Sequence, residues 1–560
     1  MINNQPLSEY PRPQLKRESY KSLNGFWDYK IAKNPEIPED FDGKILVPFS
    51  PESELSGVNH ILQPDEYLFY RLYFSLKDFE LKEKTLLHFL AVDQIAEVYL
   101  NGHFLGKHVG GFLPFSFEIQ DFVKQDDNIL IVKVQDLTDS SYHSRGKQRL
   151  KHGGIWYTPQ SGIYFPVFIE SVSSDYIQDI KITPNIDEKE VVLNVKSSGK
   201  TANFHFFDKV SEIETNRDVH IKINDKNLHL WSPEDPYLYQ FEISTSGDKV
   251  SSYFAMRKFS LIKDGKGLTR LALNNKPYFM KGVLDQGYYK DGLLTPKNYD
   301  YYVKDIELAK SLGFNMIRKH IKIEIPRWYY ECDKRGMIVW QDFVNGGESY
   351  KLSTIVFPLI FGKHHSDTNH KKFSRQNEAG KVEALQEFKD TINYLNNVPS
   401  IGLWTIFNEG WGQFDSKLVY DQVAKLDNTR LFDHASGWHD QGISDVKSFH
   451  VYFKHFKIKQ PHKRAIILSE FGGFVLPIEG HQIKGRRVYK AFKDKNDWLA
   501  KYKATISQDV IENVPKGLSA IVYTQLTDVE EELNGFITYD REVTKVDPIK
   551  IKEINDLIHL

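Results

Sequence analysis

The first 258 residues alternate between short apolar runs and turn residues, with no helical period between them. Runs at 69–74, 97–100 and 129–134 have the length of β-strands, and Asn101-Gly102 after the second of them is a strong two-residue hairpin turn. Many short strands of this kind favour a β-sandwich or jelly roll. We therefore predict antiparallel β structure here, with a β-sandwich or jelly-roll domain over residues 1–175.

Residues 176–258 keep the same pattern, with apolar runs at 191–195, 220–223 and 240–243. About eighty residues suit a small immunoglobulin-like sandwich. No Pro- or Ser-rich linker separates this segment from its neighbours, so we expect domains that are docked rather than loosely tethered.

After residue 259 the pattern changes to strands that alternate with amphipathic helices. Tyr302, Ile306 and Ala309 share one helical face, and a similar stripe starts at Leu385. Eight candidate strands follow one another at 278–284, 315–318, 337–342, 401–407, 430–434, 448–452, 465–469 and 518–524. Eight strands over some 300 residues predict a (β/α)8 TIM barrel over 259–560. A doubly wound open sheet is the alternative, but residues 281–287 lack its G-x-G-x-x-G turn.

Two glutamates stand at the ends of apolar runs. Glu409 follows the fourth predicted strand, and Glu470 follows the seventh, sixty-one residues later. Side chains at the carboxyl ends of barrel strands converge on one cleft. A lone glutamate at a strand end is more often a salt-bridge partner, but a pair in this architecture predicts acid and nucleophile chemistry.

Composition narrows the function classes. The chain has 73 basic and 75 acidic residues, and this balance argues against nucleic acid as a partner. Cys332 is the only cysteine, which excludes an intrachain disulfide and a multi-thiolate zinc site and favours a reducing compartment. The amino terminus lacks a signal-peptide pattern, and no run approaches about 18 apolar residues. We expect a cytoplasmic protein that does not bind membranes.

Several short motifs occur in order along nearly the whole chain. They are Leu23-Asn-Gly-Phe-Trp27, Val98-Tyr-Leu-Asn-Gly102, Gly110-Gly-Phe112, Gly153-Gly-Ile-Trp156, Ser161-Gly-Ile-Tyr164, Trp231-Ser-Pro233, Lys281-Gly-Val283, Asn408-Glu409 and Ser469-Glu-Phe471. In order and spacing they resemble glycoside hydrolase family 2, the group of β-galactosidases, β-glucuronidases and β-mannosidases. The resemblance implies a jelly-roll sugar-binding domain, an immunoglobulin-like domain and a catalytic barrel. It also implies a retaining exo-β-glycosidase with no organic cofactor. We name no metal ligand among the site residues.

The resemblance assigns roles to single positions. Glu409, which follows Asn408, resembles the acid/base of the family, and Glu470 resembles its nucleophile. Retention requires carboxyl groups about 5 Å apart, close enough for ionised Glu470 to raise the proton affinity of Glu409. The substrate-binding candidates are Asn408 for the 2-hydroxyl, Arg318 and Tyr452 as partners of the nucleophile, and Asp285, Gln286, His320, Trp438 and Tyr523 for sugar hydroxyls or stacking.

The substrate prediction depends on a missing motif. β-Glucuronidases of this family read the sugar carboxylate with Asn-x-Lys beyond the eighth strand, and residues 523–535 contain no such motif. The acidic run Glu530-Glu-Glu532 would repel a uronate there, although a solvated loop away from the substrate is the simpler interpretation. We predict a neutral, galactoside-like substrate. Glucuronide, mannoside or galactofuranoside specificity, transglycosylation, and a non-catalytic carbohydrate-binding protein remain alternatives, as does assembly into a homo-oligomer.

The connection between Phe343 and Leu385 is too long for an ordinary strand-to-helix loop. Long loops on the catalytic face of a barrel often shape the substrate site, so Arg375 is a candidate substrate contact. Histidines at 364, 365 and 370 lack helical i, i+4 spacing and nearby thiolates, which favours a polar loop over a metal site.

Overall fold

The computed structural model describes residues 4–483 and 489–560, apart from the side chains at positions 360 and 361. Up to residue 172 it forms a sandwich of two large antiparallel sheets, with strand orders β3-β2-β4-β10-β7-β8 and β1-β12-β5-β9, and a small β11-β6 pair. The strands are β1 (Lys21–Ser22), β2 (Gly25–Ala32), β3 (Gly43–Val47), β4 (Tyr67–Phe74), β5 (Lys84–Phe89), β6 (Val92–Asp93), β7 (Ile95–Leu100), β8 (His103–Val109), β9 (Phe115–Glu118), β10 (Asn128–Gln135), β11 (Gly162–Ile163) and β12 (Val167–Val172).

Period-two patterning builds this sandwich. Buried and half-buried positions alternate strictly along β7 and β10, so one face of each strand enters the core. Asn101 and Gly102 have φ of 51° and 86°, the left-handed values that a tight hairpin turn requires. The predicted hairpin between β7 and β8 is therefore confirmed.

A smaller sandwich follows, with sheet orders β13-β14-β17 and β16-β15-β18-β19. Its strands are β13 (Ile177–Asn185), β14 (Glu190–Ser197), β15 (Thr201–Phe206), β16 (Lys209–Glu214), β17 (Asp218–Lys222), β18 (Tyr239–Ser244) and β19 (Lys249–Phe254). Residues from both sheets share one apolar core. We propose domain limits of 1–175, 176–258 and 259–560, which fall between β12 and β13 and after β19.

The remainder contains eight parallel strands in the order β27-β26-β25-β24-β23-β30-β29-β28. They are β23 (Met280–Asp285), β24 (Met316–Lys319), β25 (Ile338–Asp342), β26 (Ile401–Thr405), β27 (Leu431–Asp433), β28 (Val446–Val451), β29 (Ala465–Gly472) and β30 (Leu518–Thr524). The backbone N–H of Asp445 donates to the Phe432 carbonyl (3.2 Å), which brings the two outer strands together. The predicted architecture of jelly roll, immunoglobulin-like sandwich and TIM barrel is confirmed.

The helices are α1 (Asp300–Ser311), α2 (Pro326–Arg335), α3 (Leu352–Ile355), α4 (Phe357–Phe361), α5 (Glu378–Leu395), α6 (Ser416–Val423), α7 (Lys495–Thr505) and α8 (Pro548–Asn555). Pro326 opens α2 and Gly336 ends it at φ 68°. Residues 434–445 and 452–464, which connect barrel strands, contain no helix. In the part of the chain that the structure describes, no helix is long and apolar enough to cross a membrane.

A three-stranded sheet, β20 (Phe259–Lys263), β21 (Thr269–Leu273) and β22 (Lys276–Pro277), lies at the amino-terminal end of the barrel strands. Phe259 and Leu271 share an apolar cluster with Met280 and Ala520, near the starts of β23 and β30. Because this end is filled by apolar packing, the carboxyl ends of the strands remain for a functional site.

Candidate active site

The backbone around Glu409 is held in an unusual conformation. Glu409 lies beyond the end of β26 with φ 51°, a left-handed value that costs a non-glycine residue about 1–3 kcal/mol. Its N–H donates to the Ser436 carbonyl (3.0 Å), and its own carbonyl accepts from the indole N–H of Trp438 (3.0 Å). These bonds fix the direction in which the carboxyl group leaves the chain.

Glu470 lies within β29 and is 4% exposed. Its Oε1 accepts a hydrogen bond from Arg318 Nη1 (3.0 Å), and its Oε2 accepts one from the hydroxyl of Tyr452. Both contacts agree with the roles that the resemblance assigned to Arg318 and Tyr452.

A histidine links the two glutamates. His450 Nδ1 lies 2.7 Å from Glu409 Oε1 and 3.6 Å from Glu470 Oε2. One carboxylate oxygen of each glutamate and this nitrogen all lie within 4.8 Å of one another. The sequence interpretation missed His450, although it precedes Tyr452 by two positions and a strand turns such positions to the same side.

The pKa values of the two glutamates are shifted in opposite directions. Burial raises the pKa of Glu409, and the nearby charge of Glu470 acts in the same direction, while His450 opposes both. Burial would also raise the pKa of Glu470, but the charges of His450 and Arg318 outweigh it and lower that pKa to about 2. Near neutral pH, Glu470 is therefore a carboxylate, and Glu409 is the better proton donor of the two.

Arg318 and His320 are oriented by a shared carboxylate. Asp342, the last residue of β25, accepts from Arg318 Nε (2.9 Å) and lies 2.8 Å from His320 Nδ1. Burial lowers the pKa of His320 to about 4, so its ring is neutral near neutral pH. With Nδ1–H donating to Asp342, His320 Nε2 remains an acceptor in the pocket wall.

Asn408 presents a donor to the same pocket. Its Oδ1 accepts from Arg318 Nη2 (2.9 Å), which fixes the amide orientation. Its Nδ2 is buried and has no hydrogen-bond partner among the described residues. A buried donor without a partner costs about 1–3 kcal/mol, so a ligand hydroxyl at this point would be stabilised.

Several predicted substrate contacts lie behind the pocket wall. Asp285 accepts from Lys319 Nζ (2.6 Å) and from the backbone N–H of Gly287 (2.8 Å). Tyr523 packs within the apolar core, and its hydroxyl accepts from the N–H of Phe474 (3.3 Å). The described residues that line the pocket include Gln286 but not Asp285, Trp438 or Tyr523. These three residues have structural contacts, and their contacts with a sugar stay predictions.

The long connection after β25 also differs from its prediction. It contains α3 and α4, and Arg375 is buried there, donating to the carbonyls of Tyr142 (2.8 Å) and Gly412 (3.2 Å). Arg375 is absent from the pocket lining among the described residues. It braces the loop and does not reach the predicted substrate position.

A segment of the first domain reaches the barrel mouth. We call residues 143–158 the strap. The backbone N–H groups of Arg145 and Gly146 both donate to the carbonyl of Asn345 (3.0 and 2.9 Å). This attachment places Lys147 and Ile155 in the pocket wall.

The acidic run after β30 holds the strap, so its interpretation as a solvated loop was wrong. Glu530 Oε1 accepts from the backbone N–H of Thr158 (2.8 Å), and Glu531 Oε2 accepts from that of Gly154 (2.8 Å). Glu532 is 3% exposed, binds the hydroxyl of Tyr157 and lines the pocket.

Pocket residues that the sequence interpretation missed are Lys147, Ile155, Leu284, Trp411, Tyr489 and Thr524. Most of these lie on connections between strands, where a local pattern does not show which side chains turn inwards.

Two groups of side chains in the described chain have the composition of a metal site. Glu409, His450 and Glu470 form one, and His481, Asp540 and Glu542 form the other. In the first group the donor atoms are directly engaged with one another and with Arg318 and Tyr452. The second group is partly exposed and lies outside the pocket lining.

Family models match three consecutive parts of the chain. The model described as "Glycosyl hydrolases family 2, TIM barrel domain" matches residues 263–545. The "sugar binding domain" model of the same family matches residues 20–168, and the model described as "Glycosyl hydrolases family 2" matches residues 175–257.

The individual proteins that this chain resembles include β-galactosidases and a β-glucuronidase. The β-galactosidase of Thermoanaerobacter pseudethanolicus is 23% identical over 498 residues, which cover 81% of this chain and 62% of that protein. The β-galactosidase large subunit of Lactobacillus helveticus is 25% identical over 522 residues, which cover 79% of this chain and 77% of that protein. The solved structure of a β-D-glucuronidase of Dictyoglomus thermophilum matches with a TM-score of 0.76 at 19% identity, covering 98% of this chain and 99% of that one. The chain spans less than two thirds of the length of the first relative, and the structural match shows the fold alone.

Proposed function

We propose that this chain, which belongs to glycoside hydrolase family 2, is a retaining exo-β-glycosidase that hydrolyses terminal, non-reducing, neutral β-glycosides. β-Galactoside-like sugars are the first candidates. The observation that carries this proposal is the arrangement of Glu409 and Glu470. One carboxylate oxygen of each lies within 4.8 Å of the other, and the pKa of Glu409 is raised while that of Glu470 is lowered. This upper limit is compatible with the roughly 5 Å between carboxyl groups that is typical of retaining enzymes, whereas inverting enzymes have roughly 6.5–9.5 Å.

In the first half-reaction a carboxylate oxygen of Glu470 attacks the anomeric carbon. The bond from that carbon to the leaving oxygen breaks, and Glu409 gives its proton to this oxygen. The product of the step is an ester between the sugar and Glu470. Arg318 and Tyr452 keep the nucleophile in place through their hydrogen bonds to its two oxygens.

The second half-reaction reverses the role of Glu409. Once Glu470 is esterified it carries no charge, so one cause of the raised pKa of Glu409 disappears. Glu409, now ionised, takes a proton from a water molecule, and the oxygen of that water attacks the anomeric carbon. The ester bond breaks, and Glu470 leaves as a carboxylate.

Asn408 has the geometry to stabilise the transition state. Its Nδ2 is the buried donor without a described partner, and it lies on the residue next to Glu409. A hydrogen bond to the 2-hydroxyl of the sugar strengthens as the transition state acquires oxocarbenium character. The strap and the connection after β30 both contribute to the pocket wall, and a walled pocket suits a terminal sugar.

The test is a panel of 4-nitrophenyl glycosides that includes β-galactoside, β-glucoside, β-mannoside, β-galactofuranoside and β-glucuronide. We expect release from a neutral member, with the β-configuration retained in the first product seen by proton NMR. Glu470→Gln is expected to lower kcat by at least about 10⁴-fold, because the attacking charge is lost. Lys495→Met, on the outer helix α7, serves as a control.

Four outcomes would count against this proposal. Inversion of configuration would contradict the double displacement, and activity restricted to the uronide would contradict the neutral substrate. Sugar binding without turnover by the folded protein would instead favour a non-catalytic carbohydrate-binding protein. Transfer of the sugar to an added alcohol acceptor in preference to water would point to a transglycosidase.

A further inference from the structure

Two oppositely charged side chains from different domains face the same pocket as the catalytic glutamates. Lys147 belongs to the strap, and Glu532 belongs to the connection after β30. Their side chains are 8% and 2% exposed, and Lys147 Nζ lies 3.5 Å from Glu532 Oε2. Neither residue takes part in the two half-reactions described above.

The ammonium group of Lys147 is poorly satisfied by its described neighbours. Its described polar contacts are the 3.5 Å approach to Glu532 and a 3.4 Å contact with the hydroxyl of Tyr157. Its Nζ also lies 4.9 Å from the ring centroid of Tyr157 and 6.0 Å from that of Trp411, and neither ring supplies an oxygen acceptor. Hydrogen bonds from a charged nitrogen normally measure about 2.7–2.9 Å, and a lysine has three donors. Since a buried charge needs close acceptors, Lys147 has the capacity to bind an additional oxygen.

Glu532 supplies the complementary acceptor. One of its oxygens accepts from the Tyr157 hydroxyl, which fixes the carboxylate against the strap. A sugar hydroxyl both donates and accepts, so a single hydroxyl can satisfy Glu532 and Lys147 together. A sugar carboxylate only accepts, and Glu532 would repel it.

We propose that Lys147 and Glu532 are specificity-determining residues that bind a hydroxyl group of the glycoside and discriminate against uronides. This inference rests on the proposed function and specifies its substrate class. Glu532 repels a sugar carboxylate, and Lys147 binds the oxygen of a sugar hydroxyl. Specific binding sites commonly combine such a repulsive contact with an attractive one. A site built around a buried hydrogen bond rejects ligands that leave its polar groups unpaired.

The experiment uses two substrates that differ at one carbon, 4-nitrophenyl β-galactoside and 4-nitrophenyl β-galacturonide. The full-length wild type is expected to prefer the galactoside in kcat/KM. Glu532→Gln should lower kcat/KM for the galactoside by about 10- to 100-fold, because a hydrogen bond to a charged acceptor is lost. It should also lower the galactoside-to-galacturonide ratio of kcat/KM by at least about 10-fold, because the carboxylate that repels the uronide is gone. Lys147→Met should also lower the galactoside value by about 10-fold or more.

Matched variants separate this role from general disturbance of the strap. Glu531→Gln removes a charge next to Glu532 but keeps an acceptor for the N–H of Gly154. Lys151→Met removes an exposed lysine of the same strap. Both controls are expected to stay within about 2-fold of the wild type, as is usual for substitutions away from a binding contact. In the double variant Lys147→Met/Glu532→Gln, the loss of transition-state binding energy from kcat/KM for the galactoside should be smaller than the sum of the losses in the two single variants. The two effects are not additive because both residues bind the same hydroxyl.

The result that would overturn the inference is an unchanged galactoside-to-galacturonide ratio in folded Glu532→Gln. If that variant does not fold, the double variant, which leaves no unpaired charge, decides the question by the same ratio. Calorimetric binding of free galactose and galacturonic acid adds a readout that does not need turnover. An inactive wild type that still prefers galactose, with the preference lost in the variants, would refute the proposed function and support this inference. An active wild type whose variants keep the preference for galactose over galacturonic acid would support the proposed function and refute this inference.

Discussion

Replacing Arg318 with methionine is expected to raise the pKa of Glu470 and to destabilise the catalytic end of the barrel. Arg318 is fully buried. It donates to Asp342 Oδ1 (2.9 Å) and Glu470 Oε1 (3.0 Å) and, in addition, to Asn408 and the carbonyl of Ser469. Methionine keeps an unbranched apolar stem but removes the charge and all four hydrogen bonds.

The pKa of Glu470 gives the size of the effect. Burial raises it, yet His450 and Arg318 lower it from 4.5 to about 2. At 1.36 kcal/mol per pKa unit, this difference favours the carboxylate by about 3 kcal/mol. Removing Arg318 also leaves Asp342 without its guanidinium partner, and breaking a buried ion pair costs about 3–5 kcal/mol. We expect the free energy of unfolding to fall by about that amount at neutral pH.

The loss should depend on pH in one direction. Because the folded-state pKa of Glu470 is depressed, its stabilising contribution is present above the unfolded value near 4.5 and is lost as the pH falls towards about 2. The difference in unfolding free energy between wild type and Arg318→Met should therefore be largest above pH 4.5 and shrink below it. The acid limb of the kcat/KM profile should move to higher pH, since Glu470 must be ionised to attack.

Urea unfolding at several pH values and pH profiles of kcat/KM measure both effects. Arg318→Lys keeps a charge and should shift the acid limb less than Arg318→Met. Arg327→Met, on the outer helix α2, controls for the loss of a guanidinium elsewhere. A folded Arg318→Met variant with the wild-type acid limb, or with a stability loss that does not vary with pH, would refute the reasoning.

Further predictions concern the surroundings of the pocket. His450→Phe removes the group that opposes the raised pKa of Glu409, so the alkaline limb of the kcat/KM profile should move to higher pH; an unmoved limb would exclude this role. Gly146→Ala should lower the unfolding free energy by about 1–3 kcal/mol in urea and raise KM, because this strap residue has φ 64° and an added Cβ would lie 2.9 Å from a barrel carbonyl oxygen. Trp438→Phe should lower kcat by about 5- to 10-fold through the lost bond to the Glu409 carbonyl. Tyr523→Phe should cost about 1 kcal/mol of stability and leave kcat unaffected, and a kcat loss there would contradict its placement in the core.

Much of the fold follows from local patterns. Each barrel strand is a short apolar run, and its ends are marked by glycine, proline or polar residues, so all eight strands could be predicted close to their observed bounds. The sequence did not predict the structure of the connections at 434–445 and 452–464, because these segments are short and have no hydrophobic period. The prediction of Glu409 and Glu470 as neighbours needed only strand order, since strand ends of a barrel converge.

The rest of the site depends on non-local geometry. Lys147 and Glu532 are brought together by hydrogen bonds between the strap and the connection after β30, which periodicity does not encode. A strand-end position also does not fix the direction of a side chain. Asp285 and Tyr523 were predicted from such positions, yet one forms an ion pair with Lys319 and the other packs in the core.

The most direct test of the central claim is to trap the glycosyl-enzyme. A 2-deoxy-2-fluoro β-galactoside with a 2,4-dinitrophenyl leaving group should accumulate as an ester. Fluorine at C2 destabilises the oxocarbenium-like transition states of both steps, while the reactive leaving group keeps the first step faster than hydrolysis of the ester. Mass spectrometry of peptides is expected to find one added fluorosugar on the peptide that contains Glu470, and none in Glu470→Gln. A label on Glu409 or on any other residue, or an unlabelled enzyme that turns the reagent over with inversion, would contradict the account.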